Sequence, residues 1–227
     1  MLRDALGPAL TGVYLHGSAA LGNYDPARSD VDIVAVCGAP PDAGARAQLG
    51  ADLGRDALPC PASAGLEFSL VTQASAREQA RAPSYELHGW DEHGRVRPGD
   101  DRGDPDLPLH FAVVRQVGLA VCGPPPADVV RDVPRDELIG LAGDELEWTV
   151  ANASPSTQVL TACRAWALAA DGRFRSKRDA AEWALREGAP AVVAAVLADH
   201  RRAAESHPDA RAVATFVASV QTRLRHK

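Results

Sequence analysis

Apolar positions near the start of the chain fall in short β-branched runs, whereas those toward its end recur at helical spacing. Val13-Tyr14-Leu15 closes at Gly17, and Val31, Ile33, Val34, Ala35 and Val36 form a second run, so residues 13–36 predict strand, loop, strand. Gly22, Asn23, Asp25 and Pro26 are turn formers that fold this loop back and are expected to deliver both its ends to one sheet edge. Residues 43–53 predict a weak helix. Residues 66–72, LEFSLVT, predict a third strand with Leu66, Phe68 and Leu70 on one face and Glu67, Ser69 and Val71 on the other. Residues 74–108, rich in Arg, Pro, Gly, Asp and His, predict a long loop with one short helix, a candidate wall for a substrate pocket.

Residues 107–121 predict a helix that Pro124-Pro125-Pro126 stops, since a proline run neither continues a helix nor donates to a sheet. The domain boundary is therefore expected at residue 126, giving domains 1–126 and 127–227. Beyond it the apolar positions predict helices over 136–150, 156–170, 176–188, 190–204 and 208–225, with Gly172 and Gly188 as C-terminal stops and Ser176 as an N-cap ahead of Asp179. The expected class is α+β: a mixed β-sheet with flanking helices, followed by a helical bundle.

Composition narrows the partners. The net charge is −6, and the 24 Lys and Arg residues are spread thinly, which excludes the basic face of a nucleic-acid binder and suits a small or cationic substrate. No apolar stretch approaches the roughly 20 residues of a membrane span, and no charged segment followed by an apolar one opens the chain, so no membrane partner and a cytoplasmic location are expected. Cys37, Cys60, Cys122 and Cys163 lie far apart without a CxxC pattern and read as reduced residues.

The candidate chemistry sits in residues 13–36. Alternate side chains of a strand share a face, so Asp30 and Asp32 project together while Val31 and Ile33 point the other way. Two such carboxylates repel unless a cation lies between them, and Mg²⁺ in particular takes carboxylate and phosphate oxygens. Gly17 permits close backbone approach to a phosphate, and Ser18 adds a hydroxyl and an N–H. Glu67 is the third acidic member and a candidate general base for an attacking hydroxyl. The set predicts nucleotidyl transfer with Mg²⁺, expected as two ions, stabilising charge on the α-phosphoryl group. Trp90, Asp104 and Asp106 are the aromatic and polar handles of the 74–108 stretch, His16 is expected to have no catalytic duty, and Trp166 and Trp183 are expected in the core.

Gly17-Ser18 followed by Asp30-Val31-Asp32 resembles the signature of the polymerase-β-like nucleotidyltransferase superfamily. LTACRAWALAADGRFRSKRDAAEWAL at 160–185 and DPDLPLHFAVVRQVGLAVCGP at 104–124 further resemble the aminoglycoside (3″)/(9) adenylyltransferase family. The resemblance implies a nucleotidyltransferase domain plus a helical bundle, with ATP as co-substrate and a cationic antibiotic as acceptor. By it Asp30 and Asp32 match the Mg²⁺ ligands, Glu67 the catalytic base, and Gly17, Ser18 and Ser29 the phosphate loop. It also implies that Arg164 and Lys177 contact the nucleotide phosphates, and that Trp90 and Asp106, with Glu67, lie on the drug-binding side.

The chain departs from the family before Arg164: TVANASPSTQVL lacks the Trp and acidic residues associated with streptomycin, and Ser154 falls where an Asp is expected. Spectinomycin is therefore the first expected substrate of a monomeric adenylyltransferase. A nucleotidyltransferase acting on a protein or tRNA, of toxin–antitoxin type, and a catalytically silent homologue that binds nucleotide or drug remain open alternatives.

Overall fold

The structure, a computed structural model, describes residues 1–58, 65–89, 94–100 and 102–226 and divides the chain into Met1–Val133 and Pro134–Lys227. In the first unit the order is α1 (Leu2–Leu6), a 3-10 turn (Gly7–Ala9), β1 (Leu10–Leu15), α2 (Gly17–Ala20), β2 (Val31–Cys37), α3 (Ala43–Asp52) and β3 (Leu66–Thr72). There follow α4 (Gln73–Arg77), β4 (Leu87–Gly89), β5 (Arg97–Pro98), α5 (Leu107–Val117), β6 (Leu119–Cys122) and α6 (Pro126–Val129).

The strands form one mixed sheet in the order β5-β4-β3-β2-β1-β6, in which only β2 and β3 run parallel. The period of two assigns the side chains to faces. Ala35, Cys37, Phe68 and Leu70 bury one face with Leu49 and Leu53, on and just beyond α3, while Val34, Val36, Val71 and Tyr14 bury the other with Leu107, Phe111 and Val114 of α5. Each layer removes several large side chains from water, and a fully buried Leu or Phe contributes roughly 1.5–3 kcal/mol.

Three expectations are corrected. Residues 74–108 are not one loop: β4 pairs with β3 and β5 with β4, extending the sheet. Strands this short have no period to read, and cross-strand bonds define them. The helix expected to reach residue 121 ends at Val117, because Gly118 is extended and Leu119–Cys122 turns to pair antiparallel with β1. The ends of the 18–30 loop meet at β1 and β2, which are interior strands, so they come together at strand ends and not at a lateral edge.

The division of the chain falls at Val133/Pro134 instead of residue 126. Tyr14 Oη donates to the Pro124 carbonyl at 3.0 Å, and Val129 and Val130 are buried against the α5 face, which keeps the proline triplet and α6 in the first unit.

The second unit holds α7 (Arg135–Asn152), α8 (Pro155–Asp171), α9 (Lys177–Arg186), α10 (Ala191–Arg201) and α11 (Ala210–Arg225). α8 touches each of the other four, and its small Ala162, Ala165 and Ala169 let them approach. It starts at Ser154, whose hydroxyl accepts from Thr157 N, and stops at Gly172 with φ +73°. Ser176 caps α9 as expected: its hydroxyl accepts from Asp179 N at 3.1 Å and donates to the Asp179 carboxylate at 2.7 Å. Trp166 and Trp183 are partly buried against this core, edge to face at 5.3 Å. Cys37, Cys122 and Cys163 are free, and Cys60 lies outside the described residues. Among the described residues no helix is long and apolar enough to cross a membrane.

Candidate active site

Parallel pairing sets Asp32 directly beside Glu67. Both carry the parity of Val34 and Val71, so they share the sheet face covered by α5, at the end where the apolar layer gives out. Asp30 precedes β2 by one residue, and carboxylate oxygens of Asp30, Asp32 and Glu67 all lie within 4.8 Å of one another. Among the described residues no Lys or Arg ion-pairs with any of the three.

Asp32 is 8 % exposed, and burial together with the charges of Asp30 and Glu67 pushes its carboxyl from 3.8 up to about 7. Between about pH 4 and 7 the cluster therefore keeps a proton that an isolated aspartate has lost. A hard divalent cation relieves the same repulsion, and an all-oxygen donor set at this spacing fits one.

The chain between β1 and β2 builds the rest of this end. Gly17 has φ +55°, and a Cβ there would lie inside the Asp32 carboxylate, so the backbone passes against that side chain only because glycine has none. Ser18 Oγ is shut from solvent and has no hydrogen-bond partner among the described residues. Such an orphaned hydroxyl has a strong tendency to take up a polar oxygen, as a phosphate would offer. Ser29 is used differently: its hydroxyl accepts from Asp25 N at 3.1 Å and its N–H donates to Asp25 O, which closes the 25–29 turn.

The face also carries histidines to which sequence reasoning assigned no role. His110 of α5 stands with Nε2 3.2 Å from Glu67 Oε1. His16, 3 % exposed, packs its ring 5.3 Å from that of His110, and burial holds its imidazole well below the ordinary range and hence neutral. His88 of β4 shares Nδ1 between Ser69 Oγ at 3.0 Å and Asp104 Oδ2 at 3.5 Å. Burial lowers its pKa against the opposing pull of Asp104. A signal for His110 was present: Leu107, His110, Phe111 and Val114 follow the i, i+3, i+4, i+7 stripe of a core-facing helix, with one polar member.

Asp106 is exposed at the N-cap of α5, its N–H donating to Asp104 Oδ1 at 2.8 Å, so of the two acids it is Asp104 that turns inward. Trp90 lies outside the described residues. Arg164 of α8 pairs with Glu145 of α7 at 3.5 Å, and Lys177 is the exposed first residue of α9.

Residues 2–77 match a nucleotidyltransferase domain, and residues 128–223 match the C-terminal domain of aminoglycoside adenylyltransferases. The chain is 26% identical over 200 residues to a spectinomycin 9-adenylyltransferase of Staphylococcus aureus, covering 82% of this chain and 74% of that one. It is 28% identical over 217 residues to an aminoglycoside (3'') (9) adenylyltransferase of Escherichia coli, covering 87% and 79%. A spectinomycin adenyltransferase from Enterococcus faecialis, solved with ATP and spectinomycin, shares the fold at a TM-score of 0.76 and 18% identity, over 99% of this chain and 95% of that one.

Proposed function

Since the chain belongs to the aminoglycoside adenylyltransferase family, with a nucleotidyltransferase domain ahead of its helical one, we propose that it transfers AMP from ATP to a hydroxyl of spectinomycin. The observation that carries the reading is the carboxylate cluster of Asp30, Asp32 and Glu67, all within 4.8 Å, beside the Gly17 backbone and the unpartnered Ser18 hydroxyl. Asp30 and Asp32 would hold Mg²⁺, which when bound supplies positive charge against the phosphate oxygens. Glu67 takes the proton of the drug hydroxyl. The hydroxyl oxygen forms its bond to the α-phosphorus as the bond from that phosphorus to the β-bridging oxygen breaks, and pyrophosphate leaves with the electron pair. Glu67 and Asp104 give this face the negative charge that suits an ammonium-bearing substrate, and Asp106 and Trp90 join the drug side on the resemblance alone.

Two features support spectinomycin over streptomycin: the missing acidic residue at Ser154, whose hydroxyl is occupied in capping α8, and the spectinomycin-modifying relative from Staphylococcus aureus. Incubation with ATP, Mg²⁺ and a panel of aminoglycosides and aminocyclitols, read by mass, is expected to yield an AMP adduct of spectinomycin. An adduct of streptomycin alone would overturn the preference, and no adduct with any drug would overturn the substrate class. Arg164 and Lys177 are carried in the same reading as partners of the nucleotide phosphates, a role supported by the match over residues 128–223. In the same assay Arg164→Ala is expected to raise the KM for ATP, and an unchanged KM would remove Arg164 from that role.

A further inference from the structure

We infer that His110 is a positioning residue for the base: its Nε2–H, donated to Glu67 Oε1, holds the carboxylate in the orientation in which it meets the acceptor hydroxyl. The inference rests on the reading of Glu67 as the base. The contact is 3.2 Å, and the His110 side chain is only 19% exposed against 36% for Glu67, so the ring is the more sheltered partner while the carboxylate stays open to a substrate. A carboxylate only accepts, so the hydrogen of the pair sits on the histidine nitrogen.

The ring is itself held. Its residue occupies the sheet-facing stripe of α5 between Leu107, Phe111 and Val114, all buried, and His16 packs against it at 5.3 Å with the planes tilted by 46°. His16 is anchored in turn through its backbone N–H, which donates to Asp32 O at 3.0 Å. A glutamate left to itself has a broad terminal torsion, and rotation of that torsion swings both oxygens away from a reacting hydroxyl. An apolar residue would fill the α5 stripe equally well for packing, so the polar atom at this position points to a duty toward Glu67.

Steady-state kinetics on the full chain, with ATP, Mg²⁺ and spectinomycin, test the inference alongside melting temperatures. His110→Leu is expected to lower kcat roughly ten- to a hundredfold, as expected for a misplaced catalytic group, with the KM for ATP unchanged. His110→Gln, whose amide nitrogen reaches about as far as Nε2, is expected to recover most of that loss, and His110→Asn, one methylene shorter, is not. A Leu variant with wild-type kcat, or a Gln variant no better than Asn, would overturn the inference. Should His110→Leu not fold, the comparison of Gln with Asn still decides. Glu67→Gln is run as a separate arm: full turnover there overturns Glu67 as the base, whereas a dead Glu67→Gln beside a fully active His110→Leu overturns only the positioning role.

Discussion

At the scale of single residues the site is a collection of groups that folding alone would avoid. Asp32 is the clearest case, a carboxyl buried next to two others and held up to about 7 against its ordinary 3.8. Because its folded-state pKa is raised, its favourable contribution is full below about 3.8 and is lost as pH rises to about 7 in protein without a cation. Asp32→Asn is therefore expected to melt above the wild type in chelator, by a margin that grows across that window and levels off above it. Mg²⁺ should raise the wild-type melting temperature and leave the variant unmoved. A margin independent of pH, or an equal Mg²⁺ response in both, would contradict the account. Gly17 belongs to the same set, since only a residue without a Cβ passes the Asp32 carboxylate there.

At the scale of elements, local rules and partners divide the work. Helix ends in the second unit obey local chemistry: Ser154, Ser176 and Asp209 each accept from the backbone N–H three residues on, and Gly172 takes the left-handed conformation at the end of α8. Ser176→Ala removes the cap of α9 and is expected to lower unfolding free energy by about 1 kcal/mol, measurable by denaturant titration; no change would mean that the exposed start of α9 frays at no cost. β6 shows the opposite dependence. Leu119 and Val121 are 52% and 67% exposed, so its strand state comes from pairing with β1 and not from burial. Residues 107–121 therefore read as one helix from their own pattern, and Gly118 was the sole local mark of the break.

At the scale of the whole molecule, charge and topology decide partners and site. A net charge of −6 disfavours phosphate backbones, so titration with tRNA or duplex DNA is expected to leave electrophoretic mobility unchanged. A retarded band that weakens as salt rises would favour a polynucleotide acceptor. Much of the site was legible beforehand, because a period of two is a local fact: it predicted that Asp30 and Asp32, whose carboxylate oxygens lie within 4.8 Å, project together, and that Glu67 faces with Ser69. The five helices of the second unit were legible for the same reason, since their spacing, caps and stops all lie within a few residues. What only tertiary structure decided is every relation between distant segments. Parallel pairing of β2 with β3 brought Glu67 beside Asp32, packing of α5 on that face brought His110 to Glu67, and pairing with β3 made β4 a strand and placed His88 against Ser69. Hydrogen bonds between strands and contacts between layers join residues tens of positions apart, and no periodicity within one segment encodes which other segment will supply its partner.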